Sequence, residues 1–148
     1  MNLYPILIHM HSIFRWVALI LIVMAIIDAV IKLKAKYKPV VKDSKWKLFA
    51  MIILHVQFII GLILYFISPK VIFDAVSMKN SMQRFFLVEH IALMIIAIVL
   101  ITVGHVKSKR AVDNIRKQKL VIVYYGIGLL LILLSIPWPF RNFGAGWL

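Results

Sequence analysis

The residues of this chain best suited to chemistry are histidines set inside apolar runs. His11 lies in LYPILIHMHSIFRWVALI, with Arg15 four positions on; His55 lies in MIILHVQFIIGLIL; Glu89 and His90 open FFLVEHIALMIIAIVLITVGH, which closes on His105. Imidazole is the commonest side-chain metal ligand, and an ionisable group held among apolar neighbours is a functional candidate because placing it there is costly. Two neutral imidazoles at one depth on separate helices are what axial ligation of a haem iron needs, with apolar side chains wrapping the macrocycle. His90 and His105 are fifteen positions apart, which on a helix leaves them roughly 60° apart on one broad face and about 22 Å apart along the axis. A helix that serves two haems stacked across a membrane has such a spacing.

The elements that must position these residues are four apolar runs, over about 4–31, 46–67, 85–106 and 120–137. A helix of some 20 residues rises about 30 Å, the thickness of a bilayer's hydrocarbon core. Hydrophobic residues make up 64% of the 148, far more than in a soluble domain, and only 16% are charged. Pro5 suits a first helical turn, Ser68-Pro69 ends the second run and Pro137-Trp138-Pro139 ends the fourth. The first run has no basic segment before it and is too long for the apolar part of a signal peptide, so it reads as a retained helix. The expectation is an all-α integral membrane protein, an antiparallel four-helix bundle forming one domain over 1–148.

The charges orient it. Of eighteen Lys and Arg, seven fall in 32–47 and six in 107–119, both between apolar runs. Basic connections mark the cytoplasmic side and meet anionic lipid, which places both termini on the outer side of the membrane. That distribution also assigns the net charge of +13 to lipid rather than to nucleic acid. Trp16, Tyr65, Phe66, Phe85, Phe86, Trp138 and Phe140 gather at the inferred outer surface, as interfacial aromatics do. The absence of cysteine excludes disulfides, thiolate catalysis and iron–sulfur clusters. There is no H-E-x-x-H, serine elbow or phosphate loop.

Depth decides which polar residues can meet. Counted from the outer ends, His11 is about seven residues in and His90 about five, a difference of about 3 Å. His11, Arg15, Glu89 and His90 then share the outer leaflet. Arg15 can neutralise a haem propionate or a quinone oxygen, and Glu89 can orient a histidine or take a proton. The plainer alternative is an Arg15–Glu89 ion pair with two hydrogen-bonded histidines that lock helices together. His55 and His105 differ in depth by about 9 Å; a second haem between them needs a strong tilt, and a hydrogen bond to a neighbouring helix is the simpler role of His55. His9 points away from His11, and Asp28 is placed to pair with Lys32. Met10 and Met94, near the outer histidines, raise copper handling as a competing use.

IHMHSIFRW, HVQFIIGLILYFISP, RFFLVEHIALMIIAIVLITVGH and the later WPF together resemble small bacterial inner-membrane proteins of cytochrome b-like type. The resemblance covers nearly the whole chain. It implies haem b, electron exchange with quinone and contact with other membrane redox subunits. Two features depart from it: the fourth run offers no ligand, and His55 and His105 differ in depth. A non-redox accessory or assembly subunit, and a copper- or metal-handling protein, are the alternatives. A homo-oligomer is compatible with each.

Overall fold

The computed structural model describes residues 3–35, 44–143 and 146. Four long helices carry it: α1 (Leu3–Lys34), α2 (Trp46–Ile67), α3 (Ser81–Arg110) and α4 (Asn114–Ser135). Each is long and apolar enough to cross a membrane, as a multi-pass membrane protein requires, and there is no strand among the described residues. Residues 36–43 of the basic connection, and 144, 145, 147 and 148 of the tail, lie outside the described residues.

Helices α3 and α4 start before their apolar stretches because capping residues, not hydropathy, set those ends. Asn80 starts α3: its side-chain oxygen accepts the N–H groups of Met82 and Gln83 at 3.0 and 3.1 Å. Asp113 starts α4 by accepting Arg116 N–H at 2.8 Å, so the polar run 114–119 is helical although apolar content begins only at Leu120. Pro137 forces the preceding residue out of helical geometry, and α4 stops at Ser135. In the connection before α3, Asp74 caps a 3₁₀ turn over Ala75–Lys79. Asp28 accepts from Lys32 at 2.8 Å, as its i,i+4 spacing predicts, and also from Ser44 Oγ.

Around the assembly, α1 packs on α2 and α4, and α3 packs on α4 and α2. Small residues let the backbones approach. Ala18, Ala25 and Ala29 of α1 meet Ala50 of α2, Ala97 of α3 and the larger Ile22, Leu54, Ile101 and Tyr125 in one core. Gly104 is the tightest point: a Cβ there would stand 2.3 Å from Tyr124 Cβ. The opposite faces expose Ile20, Ile31, Ile59, Val99, Val123 and Leu130, an apolar outer surface suited to lipid tails.

Cross-helix contacts fix which ends lie together. The Tyr4 hydroxyl at the start of α1 is 3.5 Å from Ser68 Oγ after α2, and His90 near the start of α3 bonds the carbonyl of Ser135 at the end of α4. At the other end, Tyr125 donates to Lys47 O at 2.7 Å and Lys107 donates to the Tyr124 hydroxyl at 2.8 Å.

Candidate functional site

The site begins with a distortion. Over Phe85–Glu89 the backbone of α3 widens into a π turn, and His90 N–H bonds back to Phe85 O. Five residues apart on a regular helix would face about 140° apart; here the wider turn brings Phe85 and His90 to one side, ring centroids 5.9 Å apart. π turns of this kind are frequent at functional sites. His90 Nδ1 lies 2.7 Å from Ser135 O. A carbonyl only accepts, so Nδ1 carries the proton and donates, which leaves the Nε2 lone pair available as a ligand.

His11 faces it from α1. The two imidazole centroids are 6.4 Å apart and their planes cross at 69°. Gly61 of α2 stands against His11: a Cβ there would lie 3.0 Å from His11 Cε1, so the close approach of this ring depends on glycine. Gln57, one turn before Gly61, donates its amide N–H to His11 O at 2.8 Å and braces α1 against α2. Two buried polar atoms, His11 Nδ1 and Gln57 Oε1, have no hydrogen-bond partner among the described residues. Such atoms are rare in a relaxed interior and point to a missing ligand or water.

The two rings line a cavity of about 360 Å³, within the size range of cofactor pockets. Phe58, Leu62, Ile91 and Ile132 supply apolar wall; Arg15 lies one turn deeper than His11; Tyr4, Ser68 and Lys70 stand toward the ends of α1 and α2. Arg15 also sits over the ring of its neighbour Trp16 at 5.5 Å, and Trp16 packs on Trp138 at 6.3 Å. Partial burial pulls the Lys70 ammonium below the usual lysine pKa. No Asp or Glu is among the described lining residues.

The remaining candidates separate from this site. Glu89 does not reach the cavity: its carboxylate takes a 2.8 Å hydrogen bond from Arg84, both side chains about two-fifths exposed, so Arg84 and not Arg15 is its partner. Neighbours on a helix diverge by about 100°, and the turn that aims His90 inward aims Glu89 outward. His55 points out of α2, with Nδ1 2.8 Å from Met51 O in its own helix. His105 is buried at the far end of α3, its Nδ1 3.4 Å from the Tyr125 hydroxyl. The structure therefore does not bring His55 and His105 together as a second ligand pair. His9 is exposed, at the cavity's edge.

Among the described residues no three His, Cys, Asp or Glu side chains converge to hold a metal ion. Copper finds little here: Met10 is exposed, and Met94 Sδ already accepts the Ser135 hydroxyl at 3.0 Å. Haem asks less of the protein, since the macrocycle supplies four nitrogens and the chain only two. With metal–imidazole bonds of about 2 Å, two axial rings on one iron stand roughly 6 Å apart centre to centre, close to the 6.4 Å of His11 and His90. The unpaired Nδ1 of His11, the glycine behind it and the apolar wall fit such a group.

Gly61, Gln57 and Lys70 take part in a way that the spacing of histidines does not reveal. A glycine inside an apolar helix is itself a signal of close approach, and Gln57 sits four residues before it. No family model matches the sequence, and neither the curated proteins nor the solved structures contain a match.

Proposed function

We propose that this chain is a membrane haem b protein serving electron transfer, of cytochrome b-like type, with His11 and His90 as axial ligands. In this reading the four helices form an antiparallel bundle in a bacterial inner membrane, with both termini and the haem toward the periplasm and quinone as an exchange partner. The observation that carries it is the imidazole pair, 6.4 Å apart across a largely apolar cavity.

Haem would supply a one-electron couple. The chain's own residues do the rest. The Ser135 carbonyl holds His90 in the tautomer that leaves Nε2 as donor to a metal. Gly61 gives His11 room, and Gln57 fixes the backbone that carries it. Phe58, Leu62, Ile91 and Ile132 exclude water, which strengthens every charge interaction inside. Arg15 brings a positive charge beside the ligands; it offsets an anionic group and favours the reduced form of a nearby redox centre.

An absorption spectrum of the purified protein tests this. A Soret band with sharp α and β bands on reduction is the expected result. A protein that purifies colourless and leaves the spectrum of added hemin unchanged overturns the reading.

One observation favours a second reading, an accessory or assembly subunit. His55 presents its imidazole on the outward face near the middle of α2, where lipid offers no hydrogen-bond donor and a helix of another subunit, or of a second copy, does. The His55→Leu variant should then alter the assembly's size in mild detergent, in a protein that purifies without a haem spectrum.

A further inference from the structure

Three histidines of the long helices have a partner for Nδ1. His90 Nδ1 is 2.7 Å from Ser135 O, His55 Nδ1 is 2.8 Å from Met51 O, and His105 Nδ1 is 3.4 Å from the Tyr125 hydroxyl. His11 is the exception: its Nδ1 is buried and has no hydrogen-bond partner among the described residues. His55 shows that the carbonyl four residues back on the same helix can serve, and His11 does not use its own.

Gln57 carries the complementary atom. It is only 4% exposed, it lines the same cavity, and its Oε1 has no donor among the described residues. A backbone carbonyl only accepts, so the end of the amide that lies 2.8 Å from His11 O is the nitrogen, and the other end is the oxygen. One half of this carboxamide already holds the backbone of His11. The other half is a buried acceptor without a proton.

The ring of His11 is turned toward it. The edge that meets α2 is Cε1–Nδ1: a Cβ on Gly61 would stand 3.0 Å from Cε1 and 3.5 Å from Nδ1. Gln57 and Gly61 are four residues apart and share one face of α2. Nδ1 therefore looks to the face that carries the free oxygen. The place of the proton matters to the site. With it on Nδ1, the Nε2 lone pair is free to ligate; with it on Nε2, that position is blocked. A hydrogen-bonded Nδ1–H also makes the imidazole a stronger donor to a metal.

We propose that Gln57 is the positioning residue of His11: its Oε1 takes the Nδ1 proton and leaves Nε2 to ligate opposite His90. The bond is open in this structure and closes by rotation of the two side chains. Each ligand then has an oxygen acceptor behind it, Ser135 O for His90 and Gln57 Oε1 for His11. This rests on the haem reading and adds to it the residue that sets the tautomer of the second ligand.

Protein produced without haem supply and labelled with ¹⁵N at histidine reports the tautomer, and His11→Ala identifies the signal. In wild type His11 should carry its proton on Nδ1. Gln57→Leu should shift it to a mixture, and Gln57→Glu, which keeps an oxygen, should hold it; His90 should change in neither. Hemin is then titrated into the same proteins in detergent, and the midpoint potential is read where it binds. Gln57→Leu should bind hemin roughly ten- to a hundredfold more weakly, as loss of an outer partner does at a metal site, and should raise the potential, because a weaker imidazole donor stabilises ferric iron less. A residue that only braces α1 against α2 would weaken binding and leave tautomer and potential unmoved. That result overturns the role assigned to Oε1, while the histidine pair stands. If wild type takes no hemin, the haem reading falls, and the tautomer spectra alone decide whether Gln57 holds His11.

Discussion

A histidine becomes a dependable ligand when its second nitrogen is committed, and His90 shows how that is done: the Ser135 carbonyl takes the Nδ1 proton and orients the ring. Under the proposed ligation, removing either ring would remove an iron ligand, so His11→Ala and His90→Ala should each abolish the Soret band, while His9→Ala and His55→Ala, whose rings face outward, retain it. Equal haem content in all four variants would end the ligand assignment. Depth counting alone brings His11 and His90 together, because helical rise is regular and both lie near the same ends. The same count fails for Glu89, since depth says nothing of azimuth. The exposed Arg84–Glu89 pair should contribute little: Glu89→Ala is expected to cost less than about 1 kcal/mol, with no change in spectrum. A loss of several kcal/mol in thermal unfolding would mean that Glu89 has a buried partner after all.

At the scale of the helix, hydropathy makes the spans legible and leaves their ends and distortions hidden. Nothing in FFLVE announces a π turn, because the preference for it lies in what Phe85 and His90 pack against, not in local propensity. The reach of α4 back to Asn114 depends on one cap at Asp113. Glycines can be named from the sequence but not ranked, and the structure ranks them. At Gly104 a Cβ would meet another Cβ, fixed to its backbone, at 2.3 Å; at Gly126 it would meet nothing within 4 Å. Gly104→Ala should therefore destabilise by about 1–3 kcal/mol, as overpacking does. Gly126→Ala should be neutral or stabilise by up to about 1 kcal/mol through helix propensity. Unfolding of both variants in the same detergent is the measurement, and a reversed order would show that α3 and α4 are not packed through Gly104.

For the whole molecule, the decisive quantity is the asymmetry of charge between the two ends. The connections 32–47 and 107–119 carry thirteen of the eighteen Lys and Arg. At the end with the cavity stand Lys70, Lys79, Arg84 and Arg141, and Arg15 is within α1. Each cation near an anionic surface is worth about 1 kcal/mol, and cations retained on the cytoplasmic side set orientation during insertion. The proposed orientation follows, and the proposed function goes with it: the cavity lined by His11 and His90 then lies toward the periplasm, where a redox group bound there would exchange electrons. A reporter fused after Leu148 should read periplasmic, and one inserted within 107–119 should read cytoplasmic. Replacing the six basic residues of 107–119 by Gln should weaken or invert that preference, whereas the same change at Lys70 and Lys79 should leave it intact. A C-terminal reporter that reads cytoplasmic in the unaltered chain would turn the cavity to the other side of the membrane. The histidine pair would survive that result, but the periplasmic setting proposed for its redox partner would not.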